Sequence, residues 1–176
     1  MTLRTTLLWP VVLCAIAALT TSCSVPRTGP LVERTQEGPM IDQDLAEAKA
    51  QVLAWTSSLV ATVPEDVIRT TWQNDEGSLL SCSESTYSWS SAAEIELLEE
   101  QELVPYLEVM AASWSTADGY SRAFEKTGLG HPRLLLTGPG GASISVDARG
   151  DRRRLVFTSF SACVADLADY RGGSSY

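Results

Sequence analysis

The sequence predicts an α+β fold in two layers, a mainly antiparallel sheet with two amphipathic helices on one face. Three observations lead there. Ile41, Leu45, Ala48, Val52, Trp55 and Leu59 recur at alternating steps of four and three, the spacing of one helix face. Tyr87, Trp89, Ser91, Ala93, Ile95 and Leu97 alternate with Ser88, Ser90, Ala92, Glu94 and Glu96, the period of a strand with one face inward. The order helix, strands, helix, strands then groups the helices against a shared sheet rather than interleaving them singly with parallel strands.

Each element has its own local reasons. Asp42 offers an N-cap for the first helix, Asp44 and Glu47 suit its first turns, and Pro64 stops it by Val63. Trp55 lies on the apolar face and is expected in the core. Residues 67–73 are rich in β-branched and aromatic types and read as a strand. A turn over 74–78 leads to a short strand over 79–82, and the alternating strand that follows is bent near its serines. A second helix spans about residues 103–116, with Pro105 in its first turn, where no N–H is needed, and Gly119 as its C-terminal cap. Its apolar face is Val104, Leu107, Met110 or Ala111, and Trp114. Strands follow over 120–126 and 133–137, joined through Gly128, Gly130 and Pro132. Gly138-Pro139-Gly140-Gly141 is a turn, and Ala142, Ile144 and Val146 alternate against Ser143, Ser145 and Asp147. Residues 148–151 turn the chain into a last strand over 152–160 that delivers Cys163.

Ahead of this domain the chain changes character. Arg4 precedes an apolar run over residues 7–19, and Thr20, Thr21 and Ser22 lead into Cys23, the layout of a secretory signal peptide. The run falls short of the roughly 20 apolar residues that a membrane span needs. The segment Leu19-Thr20-Thr21-Ser22-Cys23 resembles a bacterial lipobox, at which the thiol is diacylated with chains such as palmitate and the leader is cut just before it. A plain signal peptide cut nearby would leave Cys23 as an ordinary thiol. Pro26, Gly29, Pro30, Gly38 and Pro39 mark a flexible tether. The expected organisation is a lipoprotein signal peptide over 1–22, lipidated Cys23 and tether over 23–39, a single α+β domain over 40–169 and a loose tail over 170–176.

Charge and cysteines narrow the function. The formal charge of −9 becomes −10 when Arg4 leaves with the leader. An acidic chain lacks the basic face that displaces counterions from nucleic acid, so no nucleic-acid partner is expected. It also lacks electrostatic attraction for anionic lipid, which leaves acyl chains on Cys23 as the membrane attachment. Cys14 departs with the leader, and Cys82 and Cys163 remain as one pair. In an oxidising compartment such a pair forms a disulfide. Closing a loop of about 80 residues, it would contribute roughly 4–5 kcal/mol in the chain-entropy model. A metal site on these cysteines lacks partners, because His131 is the only histidine and no Cys-x-x-Cys spacing occurs. No cofactor is expected.

No catalytic set stands out. His131 sits beside Pro132 in a glycine-rich loop, and no Gly-x-Ser-x-Gly elbow is present. Glu94, Glu96, Glu99, Glu100 and Glu102 form an acidic run, but Glu94 and Glu96 lie on the face opposite Ile95 and Leu97 and read as solvated. The Gly138–Gly141 run lacks the Lys-Ser/Thr of a phosphate loop, and Arg149-Gly150-Asp151 reads as a turn. Arg152, Arg153 and Arg154 suit acidic neighbours or an anionic envelope polymer. Trp55, Trp72, Trp89 and Trp114 are expected mostly in the core, the alternative being a carbohydrate or lipid cleft. The reading is a non-enzymatic, membrane-anchored binding or envelope-associated module. The alternative is an envelope-acting hydrolase using carboxylates with His131.

One resemblance adds to this. Leu79-Leu80-Ser81-Cys82 with Tyr87 and Trp89 downstream, Trp114 followed by Gly119-Tyr120, and a glycine-turned hairpin closing on Ser161-Ala162-Cys163 form a series. Taken with the leader and tether, it resembles the LppA-type lipoprotein family of mycobacteria and related small actinobacterial lipoproteins. Ala162 stands where proline is common. The resemblance implies a cell-surface lipoprotein, lipid-anchored on the extracytoplasmic face, and brings no catalytic residues. The expected partners are the membrane, through Cys23, and an envelope component or protein.

Overall fold

The computed structural model describes residues 43–165. Helix α1 spans Leu45–Val60 and is capped by Asp44, whose carboxylate accepts the Glu47 N–H at 2.8 Å. The cap is therefore two residues later than the periodicity suggested, while Ile41 and Asp42 lie outside the described residues. Ala48, Val52, Thr56 and Leu59 form its buried face. A short 3-10 turn, Glu65–Val67, follows Pro64 and feeds strand β1, Ile68–Gln73. Then come β2 (Ser78–Ser81), β3 (Thr86–Leu97), α2 (Val104–Ser113), β4 (Ser121–Lys126), β5 (Pro132–Thr137), β6 (Ser143–Ala148), β7 (Arg154–Phe160) and β8 (Val164–Ala165).

The strands form one sheet in the order β1-β3-β7-β6-β5-β4, with β2 and β8 also paired to β3, and every pairing is antiparallel. Strand β3 is the hub. β1 and β2 divide one of its edges, and β7 and β8 divide the other. The α+β two-layer fold is thus observed, with both helices on one face of an antiparallel sheet.

Register explains which residues enter the core. Ala93, Phe157, Val146 and Leu134 lie in one buried row across the inner face, continued at the sheet edges by half-buried Gln73 and exposed Phe124. Ile95, Leu155 and Ala148 lie in the next, continued by exposed Thr71. α1 covers β3 and β7, while α2 covers β5 and β6. Leu59, Leu107, Met110 and Trp114 descend onto Ile95, Phe157, Ile144 and Leu134, all of them buried. Fully burying such a side chain contributes about 1.5–3 kcal/mol. The outer face carries the alternate residues, with Trp72, Glu94, Val156, Asp147, Arg133 and Glu125 in one row.

Two glycines admit indoles. A Cβ on Gly138 would lie 2.6 Å from Cη2 of Trp55, and one on Gly77 would collide with the Trp89 ring and the Ser90 carbonyl. Trp55, Trp114 and Tyr120 pack edge to face with centroids 5.2–5.9 Å apart, and the Trp114 indole N–H donates to the Thr137 carbonyl. This docking draws Trp114 into extended backbone (ψ 142°) and ends α2 at Ser113. Gly119 is therefore not the helix cap; its left-handed φ of 84° serves the later turn in which the Tyr120 N–H reaches the Ala117 carbonyl.

The tryptophans divide. Trp89 is fully buried, with the Lys49 ammonium 5.2 Å from its ring centroid, and Trp114 is 7% exposed. Trp72 departs from the expectation of a core role. It is 57% exposed because its register opposite Glu94 puts it on the uncovered face. Cys82 and Cys163 form a disulfide with Cα atoms 6.3 Å apart, closing the chain between β2 and β8 at one end of β3.

Candidate functional site

The residues singled out in the sequence do not meet at one place. Glu94 and Glu96 face outward from β3, while Glu99, Glu100 and Glu102 lie between β3 and α2. His131 sits in the β4–β5 connection, its ring against Gly150, where an added Cβ would approach Cε1 to 2.5 Å. Among the described residues no group of three or more His, Cys, Asp or Glu could hold a metal ion. The late arginines have partners. Arg152 meets Glu102 at 2.6 Å, Arg154 meets Asp151 at 2.5 Å, and two Arg153 bonds end on the Leu97 and Leu98 carbonyls. Arg133 grips Asp147 with two hydrogen bonds, and that bonding raises its already high pKa against the opposing effect of burial. These pairs stitch hairpins and loops together. Cys23 and the tail beyond residue 165 lie outside the described residues.

A groove lies elsewhere, between the C-terminal half of α1 and β1. It follows directly from strand order. α1 sits over β3 and β7, so β1, one strand further out, projects past the helix and leaves its inner face incompletely covered. The result is a groove of about 450 Å³ lined by Ser57, Val60, Ala61, Val63, Glu65, Ile68, Thr71, Trp72 and Gln73. That volume is in the range of sites that hold small ligands or side chains. Its floor and walls are apolar at Val60, Ala61, Val63 and Ile68. Its polar points are the hydroxyls of Ser57 and Thr71, the Gln73 amide and the Glu65 carboxylate, with Ser57 Oγ donating weakly to Gln73 Oε1 at 3.4 Å. Trp72 stands at the rim.

Acidic groups bracket β1. Glu65 and Asp66 precede it, and Asp75 and Glu76 follow it in the turn toward β2. Arg69, the one cation within the strand, bends back over the sheet. It donates to the Leu98 carbonyl at 3.3 Å and lies 3.7 Å from Glu96. A second opening of about 230 Å³ lies between the helices, lined by Trp55, Leu59, Trp114, Tyr120 and the serines 58, 113 and 115. Its three aromatic rings already contact one another, so they fill space rather than frame a cage.

Sequence reasoning did not find the groove. Its residues come from two ordinary elements, and only the pairing of β1 beyond α1 makes a surface of them. No family model, no curated protein and no solved structure matches the chain. No helix among the described residues is long and apolar enough to cross a membrane.

Proposed function

We propose that this chain is a lipid-anchored, extracytoplasmic lipoprotein whose α+β domain acts as a non-enzymatic binding module. The observation that carries the binding reading is the groove beside β1. It joins an apolar lining to a few hydrogen-bonding groups, and its lining contains no nucleophile paired with a base. Two features support the location. The leader and the segment ending at Cys23 have the layout of a lipoprotein export signal, and the Cys82–Cys163 bridge suits an oxidising compartment. The resemblance to LppA-type surface lipoproteins agrees with both.

The test is intact mass spectrometry of the full-length gene product, made in an actinobacterial host and extracted in detergent. The expected species begins at Cys23, carries a diacylglyceryl group and is two hydrogens light for the bridge. Cys23→Ala should lose the lipid and pass to the aqueous phase on detergent partition. An unlipidated wild-type chain would overturn the anchor.

A further inference from the structure

We propose that the free edge of β1 and the groove beneath α1 form a strand-addition site. Its ligand is an extended polypeptide segment with alternating apolar residues and Lys or Arg at its ends. The proposal rests on the binding-module reading and names the partner class.

The backbone gives the phase. The Asn74 N–H donates to the Ala92 carbonyl at 2.9 Å, so the main chain at residue 74 points toward β3. Alternation then turns Trp72 and Thr70 toward β3 and aims the N–H and C=O groups of Thr71 and Gln73 away from it. Among the described residues no strand pairs with that edge. Thr71 and Gln73 are also the β1 residues whose side chains share the inner face with Ile95 and Ala93 and line the groove. A strand laid along this edge would therefore satisfy the outward amide groups. It would also send every second side chain inward, into the space bounded by Val60, Ala61 and Ile68.

Charge selects the ends of the ligand. Glu65 and Asp66 lie at one end of β1, and Asp75 and Glu76 lie at the other. Arg69 is turned back toward Glu96 and does not offset them at the edge. An added strand with basic residues at both ends meets a carboxylate pair at each. The same arrangement disfavours a second copy of this chain. Antiparallel pairing of β1 with another β1 would set Glu65 and Asp66 against Asp75 and Glu76, acid against acid. An acyl chain would fit the apolar wall but leave the edge amides without partners. The other sheet edge, β4, presents Arg122, Glu125 and Lys126 around the exposed Phe124, and charges of that kind on an edge resist strand addition. The Arg122 guanidinium there is also tied to the Ala111 carbonyl.

The experiment uses full-length protein in detergent and the fluorescein-labelled peptide KKVTVTVKK, followed by anisotropy. The expected result is saturable binding that weakens as salt rises. EEVTVTVEE and the proline-interrupted KKVTPTVKK should bind at least about tenfold more weakly. Ala61→Trp, at an exposed helix end, fills the groove without disturbing the core and should cost a similar factor. Bound peptide should slow hydrogen exchange at the Thr71 and Gln73 amides. Equal binding of EEVTVTVEE, undiminished binding to folded Ala61→Trp, protection on β4 instead, or no binding of KKVTVTVKK would each overturn the proposal. A lipidated protein that ignores the peptide refutes strand addition alone, whereas an unlipidated chain that binds it refutes the anchor alone.

Discussion

Thr56 and Ser159 offer a test of how the two layers are joined. Thr56 Oγ1 donates to the Val52 carbonyl at 2.9 Å and lies 2.8 Å from Ser159 Oγ, both residues being buried. With its single proton committed to the carbonyl, Thr56 is the acceptor of the Ser159 hydroxyl. Removal of either partner is therefore asymmetric. In Thr56→Val the Ser159 O–H is left buried and unpaired, a cost of about 1–3 kcal/mol. In Ser159→Ala the backbone bond of Thr56 survives, and only an accepted bond is lost, costing about 0.5–1.5 kcal/mol. The double variant removes both polar groups from an apolar interface, so it should be less destabilised than the sum by about 1–2 kcal/mol. Urea unfolding of the oxidised protein, followed by tryptophan fluorescence and far-UV circular dichroism, gives all the terms of the cycle. Additive losses, or a larger loss for Ser159→Ala than for Thr56→Val, would refute the assigned direction of the bond and the claim that the pair acts as one unit.

Other perturbations separate the remaining features. Gly138→Ala forces a Cβ to 2.6 Å from Trp55, and displacing that indole should cost about 1–3 kcal/mol and alter the near-UV circular dichroism of the aromatic trio. Trp89→Ala, at a fully buried position, should cost about 3–5 kcal/mol, whereas Trp72→Ala, 57% exposed, should stay within about 0.5 kcal/mol in the same unfolding assay. Replacing both Cys82 and Cys163 by serine releases a closure of 81 residues and should lower stability by about 4–5 kcal/mol on the chain-entropy model, read as a shifted urea midpoint. For Asp151, burial pushes the carboxyl pKa up, but the Arg153 N–H and the Arg154 guanidinium outweigh it, so the folded value lies below the ordinary one. Its stabilising contribution is therefore complete above the unfolded-state pKa and lost as pH falls through the folded value. Carboxyl NMR titration should show the depressed value, and Asp151→Asn should remove a small part of the acid dependence of stability.

The layers and most of the elements were legible because burial leaves a period behind. The steps along Ala48, Val52, Trp55 and Leu59 mark α1, and the alternation through Trp89, Ala93, Ile95 and Leu97 marks β3. The pairing of Cys82 with Cys163 was legible by count. Features set by partners rather than by local pattern were not. Trp72 looks like a core residue until β1 is placed opposite Glu94, and β8 is two residues long, too short to carry a period. Gly119 suited a helix cap by chemistry, but the docking of Trp114 ended α2 first. The groove is the extreme case. Val60, Ala61 and Ile68 carry no motif, and they make a surface only because β1 pairs outside the strand that α1 covers.

The position of β3 also has a consequence in time. β1 and β2 precede it closely in the chain and can flank one edge as soon as it is made. Its other edge must wait for Arg154–Phe160 and Val164–Ala165, with α2 and the three strands β4–β6 coming in between. During that interval the strand that later organises the sheet exposes unpaired amide groups and half of an apolar row, a template for pairing with other chains. Cys82 waits as well, open to an oxidant or to exchange with a stray disulfide until Cys163 arrives. Closure depends on contacts far apart in sequence, the kind of topology whose pairing carries a large loop-closure cost. The last strands thus act as a check on completeness: a chain cut short of Arg154 keeps most of its apolar side chains but lacks the strand that joins the β1–β3 group to the β4–β6 group, so neither half of the inner face is completed.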